Sequence, residues 1–144
     1  MLKAKFKLEF FDSKAVISAT DKATRRVLSK FGAYVRRSAK SSIRKRKRFS
    51  EPGKPPSSHT GKLKKFIYFG YEPINASVVV GPVQFSGKGP IPKILEHGGS
   101  EIVRRKRRGK TTRTRAVYKA RPFMGPALEK ELPKLPAMWR DSVK

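Results

Sequence analysis

The chain has no cysteine, only 10 acidic residues and only two histidines among its 144 residues. Without cysteine there can be no disulfide, thiolate metal site or cysteine nucleophile. His59 stands in a Pro/Ser stretch and His97 precedes a glycine pair, and neither belongs to a metal-ligand spacing. The acidic residues are scattered, with no pair suited to general acid and base work or to holding Mg²⁺. Gly53, Gly61, Gly98 and Gly99 form no phosphate-loop pattern. The expectation is a protein that is not an enzyme and has no cofactor. No run approaches the ~20 apolar residues that span a bilayer. Met1 to Leu8 alternates charged and apolar residues, unlike a signal peptide. These features predict a soluble intracellular product with no membrane partner.

Basic residues are abundant: Lys and Arg number 36, for a formal charge of +26. Solubility alone asks for roughly 2 to 8 net charges in a small domain, so a polyanion is expected nearby. The 37% hydrophobic fraction includes nine Phe, enough for a modest core. The length predicts one domain over residues 1–144.

The chain divides at Ser50 to Leu63, where three prolines, Gly53 and Gly61 can continue neither a helix nor a central strand. This segment reads as a surface hinge. Upstream, Leu2, Ala4, Phe6, Leu8 and Phe10 alternate with charges as in a half-buried strand. Val16, Thr20, Ala23, Val27, Phe31, Tyr34, Ala39 and Ile43 then recur mostly every three or four residues, broadened by Leu28 and Val35. With Lys22, Arg25, Arg26, Lys30, Arg36, Arg37 and Lys40 opposite, they predict a long amphipathic helix with a basic outer side. Its start could be capped by Ser13, or by Ser18 with Asp21 completing a capping box. Gly32 inside it costs roughly 1 kcal/mol against Ala, which implies either close packing of another backbone or simple tolerance.

Downstream, residues 65–71 and 76–81 read as two strands joined by the turn 72–75. Apolar residues fall on both faces of this hairpin, predicting the long helix on one face and a neighbouring subunit on the other. Residues 84–92 read as a loop and 92–99 as a short helix stopped by glycine. Residues 101–119 predict a long basic hairpin with its tip near Gly109, either mobile or ordered against a partner. A last helix has Pro126 in its first turn and Phe123 and Met124 as its anchor. Leu128, Leu132, Leu135, Trp139 and Val143 form its predicted apolar side, and Pro133 and Pro136 should kink or divide it. The fold class is α+β: a long N-terminal amphipathic helix packed on a small antiparallel sheet, with a basic β-hairpin arm and a C-terminal helix.

Two blocks are the candidate contacts for nucleic acid or an acidic partner. One is Arg44, Lys45, Arg46, Lys47 and Arg48; the other is Arg104, Arg105, Lys106, Arg107, Arg108, Lys110, Arg113 and Arg115. So many like charges destabilise a compact state unless counter-charge is supplied, and duplex DNA supplies one charge per roughly 1.7 Å of axis. No aromatic residue is interleaved in either block and no helix-turn-helix or zinc finger is recognisable, so contact would be independent of sequence.

Four ordered groups of residues also carry a resemblance: Pro52-Gly53, Pro55-Pro56, Thr60-Gly61 and Leu63 after a long helix; Val80-Gly81-Pro82; Leu95-Glu96-His97-Gly98-Gly99; and Ala120-Arg121-Pro122-Phe123 with Pro126-Ala127-Leu128. Together they resemble the tail-completion, or head-tail joining, family of tailed bacteriophages (minor tail protein Z-like). The resemblance runs from about Pro52 to Leu128. It implies a virion protein, made in the host cytoplasm, that forms a ring at the neck or head-proximal end of the tail. Its implied partners are copies of itself in a hexamer or dodecamer, adjacent neck, connector and tail proteins, and packaged double-stranded DNA. Pro52, Pro55, Pro56, Thr60, Leu63, Glu96 and His97 become candidate assembly-interface residues. The basic face could line the DNA channel or grip acidic surfaces of a neighbouring ring. The alternative is a stand-alone, sequence-nonspecific nucleic-acid-binding protein. This chain departs from the family in having Lys64-Lys65 before Phe66-Ile67, and in a longer, more charged hairpin.

Overall fold

The computed structural model describes residues 13–83, 91–107, 109–140 and 142. The strand expected at Leu2–Phe10, the body of the loop at 84–90, Arg108 and Val143 lie outside the described residues. Helix α1 runs Ser13–Ser42, so it begins at the earlier of the two predicted starts and is about 45 Å long at ~1.5 Å per residue. Ala23, Val27, Phe31, Val35 and Ala39 are its buried apolar stripe. The stripe opens later than the periodicity predicts, because Val16 is 47% exposed.

The hinge ends in one helical turn, α2 (Lys62–Lys65), so the strand expected from Lys65 begins two residues later. Strand β1 (Ile67–Glu72) pairs antiparallel with β2 (Ser77–Pro82). Ile67, Phe69 and Tyr71 share a face with Val78 and Val80, and this face meets α1. The Arg36 guanidinium donates from Nε to the Ile67 carbonyl at 2.8 Å and lies over the Tyr68 ring. Tyr68 and Val79, on the other face, are exposed.

Helix α3 (Ile91–His97) leads into β3 (Gly99–Arg107), which pairs antiparallel with β4 (Lys110–Tyr118) as a separate two-stranded sheet. Helix α4 (Met124–Glu131), a 3-10 turn (Leu132–Lys134) and helix α5 (Leu135–Trp139) complete the chain, so the prolines divide the last helix. Its inward side differs from the predicted one. Ala127 and Glu131 are buried and Leu135 packs on the core, while Leu128 and Leu132 are half exposed. Phe123, 1% exposed, sets this rotation by anchoring the helix start beside Ile43, Leu63 and Ile67 in the core.

Candidate functional site

The block after α1 is not helical: Arg44 forms a bridge and the chain bends at Lys47 and Arg48. Ser58 N–H donates to the Arg44 carbonyl at 3.0 Å, within an isolated parallel bridge between Arg44 and Ser57. Arg46 Nε donates to Ser57 Oγ at 2.8 Å. Arg44, Arg46 and Arg48 line one open cleft of about 560 Å³ with Ser50, Glu51 and Lys54. Lys45 and Lys47 are not among its lining residues; Lys45 Cδ lies 3.9 Å from where a Cβ on Gly61 would sit.

The elbow that closes this cleft is pinned from elsewhere in the chain. Gly53 N–H donates to the Ala120 carbonyl at 2.8 Å, and Arg121 N–H to the Leu95 carbonyl at 2.6 Å. Arg121 Nε donates to the Ser50 carbonyl at 3.0 Å. The hinge is therefore partly internal: Ser50, Pro56 and Ser58 are buried. Lys54 Nζ meets Glu51 Oε2 at 2.6 Å at the exposed rim. The hydrogen bond and charge of Lys54, with a smaller push from Arg46, hold the Glu51 carboxyl below its ordinary range.

The second block forms the β3–β4 arm. Its register sets Arg104 opposite Arg113 and Arg107 opposite Lys110, with Arg105 facing Thr112 and Lys106 facing Thr111. Antiparallel partners share a face, so one face carries Arg104, Lys106, Arg113 and Arg115 and the other carries Arg105 and Lys110. Arg115 Nε donates to Ser100 Oγ at 3.0 Å. Ile102 and Val117, towards the base of the first face, are 64% and 77% exposed. Gly98 and Gly109 take positive φ at the two ends of β3. A Cβ on Gly98 would stand 3.1 Å from the Ala120 nitrogen, so this corner admits only glycine.

The candidate interface residues part company. Pro52 and Thr60 are exposed on the elbow, Pro55 lines the arginine cleft and Pro56 is buried. Leu63, 8% exposed, belongs to the core. His59, Thr60 and Leu63 also line an open groove of about 530 Å³ with Phe49, Phe66 and Ile91. The Phe49 and His59 rings lie 5.2 Å apart, and Phe49 is 77% exposed. His97 is exposed at the end of α3.

Glu96 has an internal use that the sequence reading did not foresee. Its Oε2 accepts the N–H groups of Phe123 and Met124 at 2.9 and 3.1 Å, and Oε1 accepts that of Gly125 at 2.8 Å. A carboxylate there satisfies otherwise unpaired donors and complements the helix dipole. Sequence reasoning also missed Ser50, Lys54 and Arg121. Only the Pro-rich composition of the elbow hints that the chain turns back there.

Among the described residues, no three His, Asp or Glu gather as a possible metal site, and no helix is long and apolar enough to cross a membrane. Comparison with protein-family models, curated proteins and solved structures finds no match to this chain.

Proposed function

We propose that this chain is a structural virion component: a ring-forming tail-completion protein that joins tail to head in a tailed phage and holds DNA non-specifically along its basic surfaces. The observation that carries the reading is the β3–β4 arm. It is a pair of nine-residue strands whose principal neighbour outside itself is the short helix α3. Two-stranded hairpins are marginal alone in water, and directly opposed like charges such as Arg104 and Arg113 weaken the pair further. An arm of this kind fits a chain that completes its packing and its charge balance on partners. The exposed face bearing Ile102 and Val117, and the groove beside Phe49, offer apolar area for subunit contacts. The ordered motifs quoted above direct the reading to the tail-completion family, and they contribute corners of the subunit: Glu96 and Gly98 meet Ala120 to Gly125.

A stand-alone nucleic-acid binder is the second reading, favoured by the same ribbon, since the major groove of B-DNA admits a two-stranded β-ribbon. Light scattering on nuclease-treated protein at low and high salt separates the two. A discrete multimer that survives nuclease supports the ring. A monomer that stays monomeric when mixed with connector or tail particles, yet binds duplex DNA with a steep salt dependence, overturns the ring in favour of the binder.

A further inference from the structure

We propose that the cleft between the extended basic segment and the Pro-rich elbow is a phosphate-binding site in which Arg44, Arg46, Arg48 and Lys54 hold one phosphate group. Four cations and one carboxylate, Glu51, line it, leaving a surplus of three positive charges. Ordinary basic runs spread their charge in all directions. Here the backbone, bridged at Arg44 and bent at Lys47 and Arg48, leaves Arg44, Arg46 and Arg48 lining the same cleft, and the Arg46–Ser57 and Arg121–Ser50 hydrogen bonds hold its walls. Arg46 uses one N–H on Ser57 and retains four others, in a planar fork that suits phosphate oxygens. Charge-assisted bonds of this kind are roughly twice as strong as neutral ones.

A second observation falls at the same place. Ser50 is 5% exposed and lines the cleft. Its Oγ is the one fully buried side-chain oxygen or nitrogen without a hydrogen-bond partner among the described residues. Buried polar groups are paired in the great majority of cases, so an orphan hydroxyl on a residue of the cleft wall marks a place where polar satisfaction is incomplete within the chain itself. The cleft is open on one side, which admits a phosphate carried by a larger molecule as well as a free one.

The inference rests on the polyanion-binding part of the function proposed above and is independent of ring formation. The test is a titration of nuclease-treated protein with inorganic phosphate, followed by ³¹P NMR or calorimetry at constant ionic strength. Two double variants remove equal charge from one short segment: Arg44→Gln with Arg48→Gln, and Lys45→Gln with Lys47→Gln. The expected result is saturable one-to-one binding that weakens about tenfold in the arginine pair and about twofold or less in the lysine pair. Lys54→Gln gives the same reading of the cleft should the arginine pair fail to fold. Absence of saturable binding, or equal loss in both pairs, overturns the site.

A short duplex oligonucleotide titrated into the same proteins identifies the source of the phosphate. Preferential loss in the arginine pair assigns it to a nucleic-acid backbone; unchanged duplex binding with lost phosphate binding assigns it to a free or small-molecule phosphate. Duplex binding that weakens equally in both pairs retains the polyanion reading and removes the cleft. A wild-type protein that binds phosphate but no duplex removes the polyanion reading and retains the cleft.

Discussion

The Glu96 carboxylate caps helix α4, whose N-cap residue Phe123 lies 27 residues further along the chain, accepting the Phe123 N–H at 2.9 Å. The cap links α3 to α4 and fixes the corner at which Phe123 enters the core. Replacing Glu96 with Ala removes three hydrogen bonds to an acceptor carboxylate and leaves part-buried donors unpaired. The expected loss is about 2 kcal/mol or more, read as a lower urea midpoint at unchanged slope. Glu96→Gln keeps one acceptor oxygen in place and should lose less; equal losses would show that the single retained oxygen contributes nothing to the cap.

Gly32 sits where α1 crosses the β1–β2 sheet. A Cβ there would stand 2.6 Å from Val78 Cγ2 and 3.1 Å from Phe69 Cδ2. The close approach is to side chains rather than to another backbone. Gly32→Ala gains up to ~1 kcal/mol of helix propensity against an overpacking cost of typically ~1 to 3 kcal/mol, because the β-branched Val78 has few rotamers to retreat into. Net destabilisation of about 1 kcal/mol is expected. Combining it with Val78→Ala should recover part of that loss, measured as a coupling energy in a double-mutant cycle.

Ser50→Ala deletes the orphan hydroxyl. A buried polar group without a partner costs ~1 to 3 kcal/mol, so this substitution should raise the thermal midpoint by about 3 °C in phosphate-free buffer. A drop of similar size would mean that the hydroxyl is satisfied in solution.

Glu131 is buried against α1, with Lys134 Nζ at 2.6 Å from its Oε2. The Lys134 hydrogen bond and charge, helped by Ser38 and opposed by burial, hold its carboxyl below the usual 4.5. Between the lowered folded value and 4.5 the unfolded chain binds more protons. The stabilisation is thus complete above about pH 4.5 and is lost as pH falls through the folded value. Urea midpoints taken from neutral pH to about pH 3 should decline in this window, and Glu131→Gln should flatten the decline. An unchanged pH profile in that variant would assign the acid sensitivity to other carboxylates.

The long helix, the two hairpins, the divided last helix and most of the described core were legible in the order of the residues. Helix periodicity is set by neighbours in the chain, so α1 and its stripe from Ala23 to Ala39 were legible. The turn at Glu72 to Asn75 and the glycine at position 109 likewise announced two hairpins, because turn geometry is local. Proline spacing divided the last helix. Which residues meet across the chain depended on the folded packing. Residues 44–48 look like one undivided block, yet a backbone held at Arg44 and Arg46 by Ser58 and Ser57 and bent at Lys47 and Arg48 leaves the arginines, not the lysines, lining the cleft. Arg121 reaches Ser50 across 71 residues, and Phe123 turns α4 so that Ala127 and Glu131 face inward instead of Leu128 and Leu132. Such contacts depend on hydrogen-bond geometry and packing between distant segments, and neither leaves a periodic trace in the order of the residues.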